Sequence, residues 1–176
     1  MIQLLGIVGR KQRGKDTLHS MLKQLSPVLV ERFAFGDAVK REISEVTGMP
    51  AHVINQLKDK FRPILQWWGT DFRREMCDQD YWLPPLDRAL ECRSAGSLLS
   101  VTDVRFLNEA HRIRESGGIL VRIVRDMPDG DQHASESESD RIVVDVTIRN
   151  DGTPDELLEK AEGLLCVLRN GISYPV

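Results

Sequence analysis

The chain reads as short unbroken apolar runs separated by stretches with helical spacing. Five runs have the length and composition of buried strands: Ile2 to Val8, Val28 to Phe35, Leu98 to Thr102, Ile119 to Val124 and Ile142 to Ile148. Behind the first run, Leu18, Met21, Leu22 and Leu25 recur at spacings of three and four, which predicts a helix with one apolar face. The C-terminal pattern is the clearest helix. Thr153 can cap it, Pro154 suits its first position and Glu156 completes a capping box; Leu157, Ala161, Leu164, Leu165 and Leu168 then form one stripe. Another helix is expected from about Phe106, stopped by Gly117-Gly118. Strands that alternate with helices, and that are continuously apolar, predict a parallel sheet covered on both faces with right-handed crossovers.

Two stretches break this rhythm. Residues 42–93 are helical in pattern with no convincing strand, too long for a simple crossover. They read as a helical insertion. Residues 126–141 are polar and acidic, with Pro128 and Gly130 and no core positions. They read as a surface loop, as a lid over a bound ligand, or as both. Neither a repeat nor a linker divides the chain, so a single domain over residues 1–176 is expected.

Bulk composition is that of a globular protein, 41% hydrophobic and 29% charged. The net charge of -3 gives no overall basic field to draw the chain onto nucleic acid or an anionic membrane. Cys77, Cys92 and Cys166 are odd in number and lack metal-ligand spacing, so they are expected as reduced thiols in a cytoplasmic setting. The apolar run at the start is too short for a signal peptide or a membrane span.

The chemistry concentrates behind the first strand. Gly9-Arg10-Lys11-Gln12-Arg13-Gly14-Lys15-Asp16-Thr17 is a glycine-bracketed loop that opens a helix. Helix-opening amides have no internal partners and lie at the positive end of the dipole, so such a loop cradles phosphate. Lys15 adds a cation that can reach the outer phosphates of a triphosphate. Asp16 stands where the usual motif has a hydroxyl that ligates magnesium, and Thr17 comes one residue later. The competing reading of the stretch is a plain strand-to-helix turn.

Ligands of parallel sheets bind beyond the carboxyl ends of the strands. That edge should gather the loop, Gly36-Asp37, Asp103-Val104-Arg105 and the segment after Val124. Asp103 suits a magnesium site opposite the loop, or a cap on the following helix. Arg62, Arg73, Arg74, Arg105, Arg125 and Arg141 form a set from which three or four are expected on phosphate. In Leu65-Gln66-Trp67-Trp68-Gly69-Thr70-Asp71 the two tryptophans cannot share one helical face, so one anchors and the other packs or lines a pocket. Gln66 can read a base edge. Tyr81-Trp82 has the same ambiguity. His133 has no partners arranged for nucleophilic catalysis or for zinc.

Taken together, these blocks resemble the bacteriophage-type deoxynucleoside monophosphate kinases. The resemblance rests on Gly9 to Thr17 with its Gly-Lys-Asp-Thr ending, Phe35 to Lys40, Leu65 to Thr70, Asp78 to Trp82, Thr102 to Glu109, His133 to Glu136 and Thr147 to Thr153. It implies a P-loop, nucleoside monophosphate kinase-like α/β fold: a five-stranded parallel sheet with helices on both faces, a helical substrate-binding insertion and a lid. It implies ATP as co-substrate, Mg2+, a dNMP acceptor, a homodimer, and a host cytoplasm as workplace if the gene is a phage's.

On this resemblance ATP is expected at Gly9, Arg10, Arg13, Gly14, Lys15, Asp16 and Thr17, with Asn150, Gly152 and Thr153 toward its base. Magnesium is expected near Asp16, Thr17 and Asp103. The acceptor is expected near Asp37, Lys40, Arg62, Gln66, Trp68, Thr70, Arg74 and Asp103. Lys15, Arg105 and Arg125 would stabilise the transferring group. The alternatives are a P-loop kinase of another phosphorylated metabolite (the phosphomevalonate-like branch shares the Gly-Lys-Asp ending) and a nucleotide-dependent switch or assembly ATPase. The chain lacks the Asn-Lys-x-Asp base-reading motif of GTPase switches.

Overall fold

A computed structural model describes residues 2–126 and 134–170. Five strands, β1 (Leu4–Val8), β2 (Val30–Phe33), β3 (Leu98–Val104), β4 (Ile119–Val124) and β5 (Val146–Arg149), form one sheet in the order β2-β3-β1-β4-β5. Every neighbouring pair is parallel. The chain divides into two compact units: residues 1–33 with 92–176, which hold the sheet, and the helical unit Ala34–Glu91.

In the sheet unit, alternation along β1 sorts the core into two layers. Leu5 and Ile7 join Leu18 and Leu22 of α1 (Lys15–Leu25), and Leu157, Ala161, Leu164, Leu165 and Leu168 of α8 (Pro154–Asn170), in one buried cluster. Gly6 lies on the other layer, where α6 (Leu107–Glu115) brings Ile113 close and β4 supplies Leu120. The central strand is apolar throughout because both of its faces are covered. α6 stops where the pattern predicted: the Gly118 amide donates to Ile113 and that of Gly117 to Arg114, with Gly117 in the left-handed region at φ 75°.

β1 starts at Leu4 and not at Ile2, and β3 runs on to Val104 past the expected end at Thr102; three further differences from the sequence expectation stand in the sheet unit and at its border. The second run gives only Val30–Phe33 as strand, because Phe35 already opens α2 (Phe35–Thr47); Gly36-Asp37 is therefore a first helical turn and not a loop after a strand. The fifth strand starts at Val146 and not at Ile142. Before it, the Asp145 carboxylate accepts the Leu120 amide at 2.7 Å, so a side chain stands in for a ladder bond. The third difference is α7 (Ala134–Arg141), a helix inside the stretch read as a loop without core positions. Its end is fixed because Arg122 donates to the carbonyls of Ser139 and Ile142, and both residues are buried. Residues 127–133 of the expected lid, His133 included, lie outside the described residues.

The helical unit holds α2, α3 (Ala51–Gln56), α4 (Lys58–Gln66), a π-helical segment (Trp67–Cys77) and α5 (Leu83–Cys92). Its bounds, 34–91, fall earlier than the 42–93 read from the pattern because all of α2 belongs to it. The π winding explains the paired tryptophans. Residues five apart become neighbours on a π-helix, which a 3.6-residue period does not anticipate. Trp67 stacks on Phe72 at 5.4 Å between centroids, and Arg73 lies 5.2 Å over Trp68.

Candidate active site

The loop between β1 and α1 is built by three residues with positive φ: Gly9 (157°), Gln12 (62°) and Gly14 (105°). Glycine is required at two of them for space as well. A Cβ on Gly9 would lie 2.7 Å from the Ile123 carbonyl oxygen, and one on Gly14 would run into the Asn150 amide. Lys15, Asp16 and Thr17 form the first turn of α1. The Lys15 ammonium folds back along the loop and donates to the carbonyls of Gly9 (2.5 Å) and Arg10 (2.7 Å). Asp16 and Thr17 are exposed.

The rest of the sheet unit braces this loop. Asn150, just past β5, donates from its side-chain amide to the Arg13 carbonyl at 2.9 Å. Arg13 is buried and donates to the Arg125 carbonyl. Both residues therefore support the loop's shape. The Arg125 side chain is exposed at the end of β4, as are Gly152 and Thr153 after β5. Thr153 caps α8 as expected, accepting the Glu156 amide at 3.3 Å.

Register brings the other expected group alongside. Val8 pairs with Val104, so Asp103-Val104-Arg105 runs beside the start of the loop. Gly6 pairs with Val101, so β3 carries one extra residue over this step, and Asp103 sits at that bulge. Two glutamates serve amides at the head of α6. Glu109 accepts the amides of Arg105 (2.8 Å) and Phe106 (3.1 Å), and Glu138 accepts that of Leu107 (2.9 Å). Sequence reading missed Glu109 in this role; a glutamate at the third helical position was the available signal.

The acceptor candidates Asp37, Lys40, Arg62, Gln66, Trp68, Thr70 and Arg74 all lie in the helical unit. Lys40 and Asp37 pair at 2.6 Å one turn apart on α2. Thr70 and Arg74 are buried, and Arg74 donates to the Gln79 carbonyl at 3.1 Å. Arg62, Gln66 and Trp68 are half-buried. The organising residue here is Glu42, which the sequence did not single out. Its Oε1 accepts from Arg73 and, at 2.9 Å, from the Tyr81 hydroxyl; its Oε2 accepts from the Trp68 indole at 3.2 Å. The Arg73 guanidinium lies 4.6–5.2 Å over the rings of Tyr81, Phe72 and Trp68. Arg73 thus serves the interior of the helical unit. Tyr81 is pushed above the ordinary phenol range by burial first and by its bond to the Glu42 carboxylate second.

Comparison with known proteins adds the family. Residues 43–161 match the family model for deoxynucleotide monophosphate kinase, well over half of the chain. The chain belongs to this family. The chain is 30% identical over 142 residues to the deoxynucleotide monophosphate kinase of Enterobacteria phage T4, covering 77% of this chain and 59% of that protein. It is 28% identical over 179 residues to an Acanthamoeba polyphaga mimivirus protein named, provisionally, for the same activity, covering 87% of this chain and 91% of that one. The corresponding enzyme of Escherichia phage RB69 is 30% identical over 64% of this chain and 48% of its own length. The chain thus spans about half of the two phage relatives' length. Among solved structures, shikimate kinase from Aquifex aeolicus (TM-score 0.55, 17% identity, 96% and 99% coverage) and dephospho-CoA kinase from Campylobacter jejuni (0.57, 10%, 97% and 99%) share the fold. The chain therefore shares their α/β architecture, a five-stranded parallel sheet with helices. Among the described residues no helix is long and apolar enough to cross a membrane.

Proposed function

We propose that this chain transfers the γ-phosphoryl group of ATP to a deoxynucleoside monophosphate, giving a deoxynucleoside diphosphate and ADP. The observation that carries this is the Gly9–Thr17 loop at the head of α1, with Asp103 and Arg105 drawn beside it by the Val8–Val104 pairing, in a chain of this family. The loop and the first turn of α1 hold the triphosphate through main-chain amides. Lys15 exchanges loop carbonyls for phosphate oxygens. The acceptor's own phosphate oxygen is ionised at neutral pH and attacks the γ-phosphorus. The bond from that phosphorus to the β,γ-bridging oxygen breaks, and ADP leaves. No general base is needed, so the protein's task is positioning and charge neutralisation, to which Lys15, Arg105 and Arg125 contribute.

The residues near the loop fit a magnesium ion. Asp16, Thr17 and Asp103 offer only oxygen donors, and few of them. Among the described residues no cluster of three His, Cys, Asp or Glu forms a protein cage. Mg2+ suits such a site, because it keeps waters and takes one or two carboxylates beside substrate phosphates; bound there, it neutralises phosphate charge. The acceptor is assigned to Asp37, Lys40, Arg62, Gln66, Trp68, Thr70 and Arg74 in the helical unit.

The test is an acceptor panel with radiolabelled ATP: each common dNMP and NMP, and non-nucleotide phosphates. Labelled dNDP is the expected product. ATP hydrolysis with no labelled nucleotide, or transfer only to a non-nucleotide phosphate, overturns the proposal. Lys15→Ala should lower turnover about 10²–10³-fold, the scale of removing one preorganised donor to developing charge, with the far-UV spectrum unchanged. Turnover near that of the unaltered protein would remove the loop from the chemistry.

A further inference from the structure

The last turn of α7 carries a carboxylate, Asp140, that pairs with an arginine of the loop. Arg10 and Asp140 lie 130 residues apart in sequence and meet as a fork: Arg10 Nε lies 3.4 Å from Asp140 Oδ1, and Nη2 lies 2.5 Å from Oδ2. A planar guanidinium binds a carboxylate and a phosphate with the same two-pronged geometry. Asp140 therefore offers Arg10 the kind of partner that a triphosphate in the loop would offer.

The turn around Asp140 does not depend on Arg10 for its place. Arg122 of β4 donates to the carbonyls of Ser139 (3.0 Å) and Ile142 (2.5 Å). Glu138 accepts the Leu107 amide at the head of α6. Asp140 also keeps a second cation within reach, since Arg122 Nη1 lies 3.8 Å from its Oδ1. Arg10 can thus leave while the turn stays docked and while Asp140 retains a counter-charge. Both members of the Arg10–Asp140 pair are partly exposed, with 30% and 43% of their side chains accessible, which keeps the cost of separating them small.

We infer that Asp140 is a positioning residue for Arg10: it holds the guanidinium at the rim of the loop as a phosphate surrogate and yields it to the incoming triphosphate. Arg122 is the standing partner that makes the exchange inexpensive. The inference rests on the reading that the loop binds ATP. It predicts that removing the charge of Asp140 tightens nucleotide binding, whereas a merely structural carboxylate would, when lost, weaken it.

The experiment measures the affinity of a non-hydrolysable ATP analogue by calorimetry for the full chain, Asp140→Asn, Arg10→Ala and the double variant. Asp140→Asn should bind about three- to fivefold more tightly, the scale that an exposed ion pair supports. Because the gain runs through Arg10, it should vanish in the Arg10→Ala background. Raising salt should shrink the difference between Asp140→Asn and the unaltered chain, since the pair being lost is partly exposed. Equal or weaker binding by Asp140→Asn, or a gain that persists without Arg10, overturns the inference. Failure of the unaltered protein to bind the analogue would instead overturn the ATP reading itself. Asp140→Glu should restore the unaltered affinity, and a loss of binding in that variant would also count against the exchange.

Discussion

Glu42 is the residue on which the helical unit should depend most, and its removal can be sized from the structure. One carboxylate accepts three donors: Arg73, the Tyr81 hydroxyl and the Trp68 indole. The bond from the Arg73 cation is worth about 1.5–3 kcal/mol and each of the others about 0.5–1.5 kcal/mol. About a fifth of both charged side chains remains accessible, so water recovers part of this. Glu42→Ala should therefore destabilise the unit by about 2–4 kcal/mol, including the cost of leaving the half-buried Arg73 without its counter-charge. Glu42→Gln keeps one good acceptor for Arg73 and Tyr81, but its amide orientation cannot satisfy the indole as well, so about 1–2 kcal/mol is expected.

The assay is urea unfolding followed by tryptophan fluorescence. All three tryptophans, Trp67, Trp68 and Trp82, lie in the helical unit, so the signal reports on it. A second readout is specific to the contact. Without the carboxylate, Tyr81 should ionise closer to the ordinary phenol range in a tyrosinate absorbance titration, while the part of its shift due to burial stays. The sign for stability follows. The folded phenol titrates above its unfolded value of 10.0, so this contribution is complete below pH 10 and is lost as pH rises through the folded pKa. A cost under about 0.5 kcal/mol for Glu42→Ala, within the scatter of ordinary surface substitutions, together with an unmoved Tyr81 titration, would refute the reasoning.

Two further predictions follow from buried positions in the sheet unit. His19 on α1 is held below its ordinary pKa of 6.5 by burial first and by Arg32 and Lys23 second, with Asp16 opposing; its stabilisation is present above pH 6.5 and is lost as pH falls through the folded pKa. His19→Gln should flatten the fall in unfolding midpoint between pH 7 and 5, and an acid limb identical to that of the unaltered protein would contradict this. Gly6→Ala in β1 should cost about 1–3 kcal/mol by overpacking, because the new Cβ meets Leu120 Cδ2 at 2.7 Å and Ile113 Cδ1 at 2.8 Å, both in the interior. An unchanged melting temperature would show that the α6 layer accommodates a methyl group.

What the sequence could reveal depended on the range of the forces involved. β4, and the capping of α8 by Thr153, are set by local periodicity and local hydrogen bonds, and they were legible residue by residue. The turn between β1 and α1 was legible in shape for the same reason: its glycines answer to backbone geometry within a few residues. α7 was not, because its end is stabilised by Arg122 from another strand, a partner no window around residues 134–141 contains. Glu42 was not, because its donors lie 26 to 39 residues away and include residues on a π-helical segment with neighbours at five. The same distinction gives the functional reading its strength. The family match begins at residue 43, beyond the loop, and so does not draw on Gly9–Thr17 at all. The geometry of the loop and the family match over residues 43–161 are therefore observations on different parts of the chain.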